Sequence, residues 1–212
     1  MTIVREGYPF IGTCLALALL LGLGFHPYAA AVPGVLMLYF LYFFRSPHRE
    51  IVRDAQVILS PADGTVQEVV DLDRDPDDFI QGPCRKVVIF MSVFNVHVNR
   101  SPMDGEIKLQ KYFCGRFRPA YKDEVGFENE HHLIGLQGKT IRITVKQIAG
   151  ILARRIVSWV TMDDTLAQGE LYGMIRFGSC LEVTMPRDLV TVLVKPGDKT
   201  VGGKTVLGRI KA

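Results

Sequence analysis

Three short stretches hold the side chains whose types and spacing could do chemistry: Asp63 in SPADGTV, His97 in MSVFNVHVNRSP, and Gly178-Ser179 in IRFGSC. A serine directly after a glycine sets a hydroxyl beside the Gly178 carbonyl. Glycine lacks a Cβ, so its peptide can be bent and closely approached. The hydroxyl can then attack that carbonyl and turn the amide into an ester, helped by local strain and by donors around the oxyanion. A histidine such as His97 can take and return protons near neutral pH. An aspartate such as Asp63 can orient the histidine and stabilise its cation. Each also has a plainer reading: His97 as a satisfied histidine at a strand end, Asp63 as a turn residue.

The order of these stretches carries more than any one of them. SPADGTV, then FNVHVNRSP, then FGS near the C-terminus resemble the phosphatidylserine decarboxylase family in its short form, as does QIAGILARRI at Gln147–Ile156. The resemblance covers nearly the whole chain. It implies a proenzyme that cuts itself between Gly178 and Ser179 into a large and a small chain. Ser179 would lose its α-proton, pass through dehydroalanine and end as a pyruvoyl group, the covalent cofactor. That ketone would form a Schiff base with phosphatidylserine and take up the electrons left by CO2, giving phosphatidylethanolamine. The resemblance implies an Asp63/His97/Ser179 arrangement for self-cleavage and a place in phospholipid biosynthesis. It leaves room for a homo-oligomer. Two departures stand out against the long bacterial form: Arg100 occupies the position of a second histidine, so His97 is left to serve both steps. Cys180 replaces a threonine, as a space-filler on our reading.

These residues need elements to hold them. From residue 51 onward, short runs rich in Val and Ile alternate with Gly, Pro and Asp turns. Strands are expected at Val57–Leu59, Thr65–Val70, Lys86–Met91, Lys108–Tyr112, Thr140–Ile148, Ile156–Val160, Met174–Phe177, Leu181–Met185 and Thr191–Val194. Asp123–His132 reads as a loop or short helix. SPADGTV is echoed by SPMDGEI, with Asp104 as a turn residue in the echo. Asp164…Gly169…Gly173…Ile175 is echoed by Asp198…Gly203…Gly208…Ile210 with one residue inserted. Such Gly-spaced hairpins recur in biotin and lipoate carriers. The expected fold is therefore mainly β (α+β): a membrane helix hairpin in residues 1–50, then a β-rich, barrel-sandwich-like domain in 51–212.

The hairpin reading rests on two apolar runs, about 10–25 and 29–44, each slightly short of the ~20 residues that cross a bilayer comfortably. Arg5 precedes the pair and Arg45, Arg49 and Arg53 follow it, while the linking His26-Pro27-Tyr28 has no fixed positive charge. Basic flanks favour the cytoplasmic side, so the catalytic domain is expected there, on the cell membrane. A secretory signal ending at Ala29-Ala30-Ala31 and a buried helical hairpin are the competing readings.

The remaining composition mostly excludes. A net charge of +3 with no basic block gives no nucleic-acid footprint. Cys14, Cys84, Cys114 and Cys180 form no CxxC and read as reduced thiols, and no metal is expected. His131-His132 and the basic set Lys108, Lys111, Arg116, Arg118, Arg154 and Arg155 read as structural or surface residues. A serine hydrolase lacks its GxSxG elbow here. A pyruvoyl decarboxylase of another amine, or a non-enzymatic biotinyl- or lipoyl-like domain using Lys195 or Lys199, are the alternatives.

Overall fold

The computed structural model describes residues 1–115, 129–150, 155–176 and 179–211. The chain divides into two compact units, Met1–His48 and Arg49–Ala212.

In the first unit, a 3-10 turn at Arg5–Gly7 leads into helix α1, Tyr8–Gly24. A second 3-10 turn, Pro27–Ala30, opens α2, Ala31–Phe43. The apolar run at 29–44 is thus not one uniform helix. Pro27 suits the first turn of a helix, where its missing N–H is no loss, and the His26 ring accepts from the Tyr28 amide at 3.4 Å. Phe10 stacks on Phe44 and tilts against Phe40, holding the helices together. Arg45 donates to the Tyr42 carbonyl at 2.6 Å, placing a cation at the negative end of α2. Short strands β1 (Thr2–Ile3) and β2 (Arg45–Ser46) close the unit. Among the described residues, only the span Arg5–Gly24 is long and apolar enough to cross a membrane; the helix of Pro27–Phe43 is shorter. This N-terminal helix is compatible with membrane association.

The second unit is β-rich. Its first strands are β3 (Val57–Leu59), β4 (Gly64–Leu72) and β5 (Cys84–Met91). Next come β6 (Val98–Arg100), β7 (Gly105–Phe113), β8 (His131–Gln137) and β9 (Arg142–Ala149). Then follow β10 (Arg155–Ser158), β11 (Thr165–Leu166) and β12 (Leu171–Arg176). The last four are β13 (Ser179–Pro186), β14 (Val190–Val192), β15 (Lys199–Thr200) and β16 (Val206–Ile210). Eight form a curled half-barrel in the order β11-β7-β8-β9-β13-β5-β4-β15, flanked by β10-β12-β6 and β14-β16-β3. The fold class expected from the sequence is the one found.

The echoes in the sequence are a structural duplication. Read inward from its two edges, the large sheet matches β11 with β15, β7 with β4, β8 with β5 and β9 with β13; the small sheets match likewise. Ser60 Oγ donates to the Ala62 carbonyl, and Ser101 Oγ to that of Met103. The Leu59 amide donates to the Pro102 carbonyl and the Arg100 amide to that of Pro61, each at 2.9 Å, a reciprocal exchange between halves. Bulges fall at corresponding places, Val66/Glu68 and Ile107/Leu109. Gly169 and Gly203, both at positive φ, occupy matching turns that only glycine adopts without strain. One half is β6 to β12. The other is β3 to β5 continued by β13 to β16. The first is therefore inserted into the second, and the chain crosses between halves twice: after Met91, and between Arg176 and Ser179.

The described part of Asp123–His132 departs from its loop reading. His131 and His132 begin β8, all but the last residue of which is buried. Burial on both faces hides the alternation that reveals a half-exposed strand. Residues 116–128, and with them Arg116 and Arg118, lie outside the described residues, as do Arg154, Phe177 and Gly178.

Candidate active site

The two crossovers bring candidate groups to one end of the large sheet. Ser179 is the first residue of central strand β13, in register with Met91 at the end of β5 and Ala149 at the end of β9. It is fully buried, and its Oγ–H donates to Met91 Sδ at 3.4 Å. A thioether is a weak acceptor. The hydroxyl therefore gives up little when it turns to a reaction.

His97 is built by the turn after Met91. Asn95 Oδ1 accepts from the amide and hydroxyl of Ser92 at 2.8 and 2.9 Å, closing the turn. The Asn95 carbonyl lies 3.0 Å from His97 Nδ1 and must accept its proton. The neutral ring then carries its basic lone pair on Nε2, the arrangement that general-base chemistry requires. His97 is fully buried, and its carbonyl accepts from the Ile175 amide in β12.

Asp63 is placed differently from the simple orienting role. Its carboxylate meets Arg49 in a bidentate pair, both contacts 2.7 Å, and accepts from the Gly202 amide at 2.8 Å. Arg49 also donates to the Gly202 carbonyl. The structure thus brings Asp63 onto Arg49 and the 202 turn, not into a hydrogen bond with His97. Arg100 lies within the field of this pair; burial first, then Arg49, lower its pKa, and Asp63 opposes them. Gly178 lies outside the described residues.

Composition gave no hint of three residues leading to the serine, Met91, Asn99 and Gln147, or of Arg49 beside Asp63. Arg49 read as one of several flanking cations. Asn99 and Gln147 are fully buried amides inside strands. Cys180 is buried beside Val88 and Ile148. Burial first, then Glu182, push its thiol up to about 12, so it stays protonated at neutral pH and fills space. His131 Nδ1 donates to the Asn129 carbonyl at 2.8 Å and its ring stacks on Phe113. Among the described residues no group of three His, Cys, Asp or Glu could hold a metal ion.

Comparison with known proteins decides the family. The model for phosphatidylserine decarboxylase matches residues 36–208. The chain belongs to the phosphatidylserine decarboxylase family. It is similar to the phosphatidylserine decarboxylase proenzyme of Symbiobacterium thermophilum, 46% identical over 98% of this chain and 95% of the relative. That of Carboxydothermus hydrogenoformans is 40% identical over 100% and 98%. That of Syntrophus aciditrophicus is 43% identical over 97% and 96%. This family member is an enzyme of that type.

Proposed function

We propose that this enzyme converts phosphatidylserine to phosphatidylethanolamine and CO2, using a pyruvoyl group formed from Ser179 when the Gly178–Ser179 bond breaks. The observation that carries the reading is Ser179 itself. It is a buried serine at the head of the central strand, on the return crossover, and among the described residues its hydroxyl is held by a sulfur alone. The proenzyme names of the relatives given above agree with a chain that processes itself. A pyruvoyl group at this position supplies a ketone that condenses with an amine and accepts the electrons released with CO2.

The chain's own residues do the rest. His97, its tautomer fixed by Asn95, takes the Ser179 hydroxyl proton through Nε2 and later returns a proton to carbon. Asp63 acts through the ion pair that fixes Arg49 and the 202 turn, and through its field on Arg100. The site around Ser179 suits a small planar ketone: it is buried, walled by Met91 and bounded by two strand ends. After the cut, the small chain keeps β13 between β5 and β9, with Leu181, Val183 and Met185 fully buried. Burying each such side chain contributes roughly 1.5–3 kcal/mol, so the chains stay together.

A lipid substrate accounts for the apolar N-terminal unit. The basic residues after it, Arg45 and Arg53 with Arg49, support a cytoplasmic catalytic unit on the cell membrane. The carrier alternative is weakened by Lys199, whose Nζ donates to Thr65 Oγ1 at 2.8 Å. The test is CO2 release by detergent-solubilised protein offered phosphatidylserine or free serine. Release from the lipid alone is expected; equal release from free serine would overturn the substrate assignment.

A further inference from the structure

A directed chain of hydrogen bonds, part-buried at its outer end and buried at its inner end, ends beside Ser179. Gln110 Nε2 donates to the Val160 carbonyl at 3.1 Å and to His132 Nε2 at 3.0 Å, making that ring nitrogen the acceptor. His132 Nδ1–H therefore donates to Gln147 Oε1 at 3.0 Å. With its oxygen so engaged, Gln147 offers Nε2 to Asn99 Oδ1 at 2.7 Å. Asn99 is thereby turned with its N–H toward Met91 Sδ at 3.8 Å, the same sulfur that accepts from Ser179. Each link fixes the next, so the orientation of the Asn99 amide is determined from the outer end of the chain. Burial lowers the His132 pKa, which suits a neutral ring in this role.

The duplicated fold supplies an internal control. Gly173, in register with Asn99, matches Gly208, in register with Ile58; so Asn99 matches Ile58. In the same way His132 opposite Gln147 matches Arg85 opposite Met185. Gln110 opposite Ile134 matches Val69 opposite Val87. At the matching place in the other half, six residues along β13 from Ser179, the two innermost positions are thus held by Ile58 and Met185, both fully buried. The architecture does not need amides there. Burying two amides where a matching fold packs hydrocarbon is costly unless they are bonded or used.

We propose that Asn99 is a further catalytic residue of the Ser179 site, its N–H held by the positioning residues Gln147 and His132 toward the oxygen that the site must steady. The sulfur is a poor acceptor, so the N–H can pass to a stronger one: the Ser179 oxygen during self-cleavage, or a carbonyl or carboxylate oxygen of substrate afterwards. This rests on the reading of Ser179 given above.

The double variant N99I/Q147M copies the packing of the matching half. Time courses of precursor conversion, followed by denaturing electrophoresis after cell-free synthesis, would be compared with wild type, alongside urea unfolding. Steady-state turnover of phosphatidylserine would be measured on the converted fraction. The expected result is an unfolding midpoint close to wild type, conversion slowed at least tenfold, and kcat reduced at least tenfold with KM within twofold. If the double variant does not fold, Gln147→Glu keeps the volume but cannot donate to Asn99 Oδ1; it turns the amide and carries the same expectation. Conversion and kcat within twofold of wild type in a folded variant would overturn the assignment. Wild type that never converts would instead sink the pyruvoyl reading, and this inference with it.

Discussion

The Ser179 hydroxyl and the Asn99 amide converge on one atom, the sulfur of Met91, at 3.4 and 3.8 Å. Ser179 arrives on the return crossover and Asn99 just after the outward one. The proposed site lies where one half of a duplicated fold is spliced into the other.

The pair of echoed aspartates separates site from scaffold. Asp63 holds an Arg49 side chain only 9% exposed, whereas Asp104 accepts one amide, that of Gln168, at 2.7 Å. Removing one partner of a buried ion pair strands the other charge. Asp63→Ala should therefore cost about 3 kcal/mol, and Asp104→Ala about 1 kcal/mol. Urea unfolding of the two variants checks this. Equal losses would mean that Arg49 finds other compensation.

Much of this was legible in advance, for physical reasons that differ by residue. Val57–Leu59 has the limits expected because Pro-Asp-Gly turn chemistry follows a short β-branched run. Ser179 stood out in the sequence because SPADGTV, FNVHVNRSP and FGS follow in that order; a Gly-Ser pair alone would have said little. β8 was missed because His131 and His132 look solvated in sequence, whereas Asn129, Gln110 and Gln147 satisfy them inside. Asn99 and Gln147 were hidden in a different way: a lone amide in a strand has no pattern. Extending the SPADGTV/SPMDGEI echo two residues back puts Ile58 against Asn99 and could have exposed that one, whereas the match of Gln147 with Met185 comes only from strand register. Arg49 gave none, since its ion pair with Asp63 depends on the fold.

Two of the buried histidines, His131 and His132, predict a pH dependence. Burial holds both His131 and His132 below the ordinary value of 6.5. As pH falls below about 6.5, the unfolded chain binds protons that the folded chain does not. Stability is therefore full above that pH and is lost as pH falls toward the folded values, by up to about 1.4 kcal/mol per pH unit for each ring. Urea unfolding at pH 7 and pH 5 should show this drop, and His132→Gln should reduce it. An unchanged slope in the variant would contradict the assignment.

The thiols should sort by burial. Burial first, then Asp75, push Cys84 up to about 11, and Cys180 lies higher still. Cys114 is exposed. Native alkylation at pH 8 followed by peptide mapping should label Cys114 well before Cys84 or Cys180. Cys180→Ala should convert and turn over within twofold of wild type. A large loss of conversion would give the thiol a chemical part.

The most direct test is the intact mass of freshly purified, active protein under denaturing conditions. The account predicts two polypeptides divided between Gly178 and Ser179, the smaller with a pyruvoyl terminus that reacts with a carbonyl reagent, and a single unreactive chain for Ser179→Ala. Active wild-type protein found as one unbroken chain with an unmodified serine would contradict it.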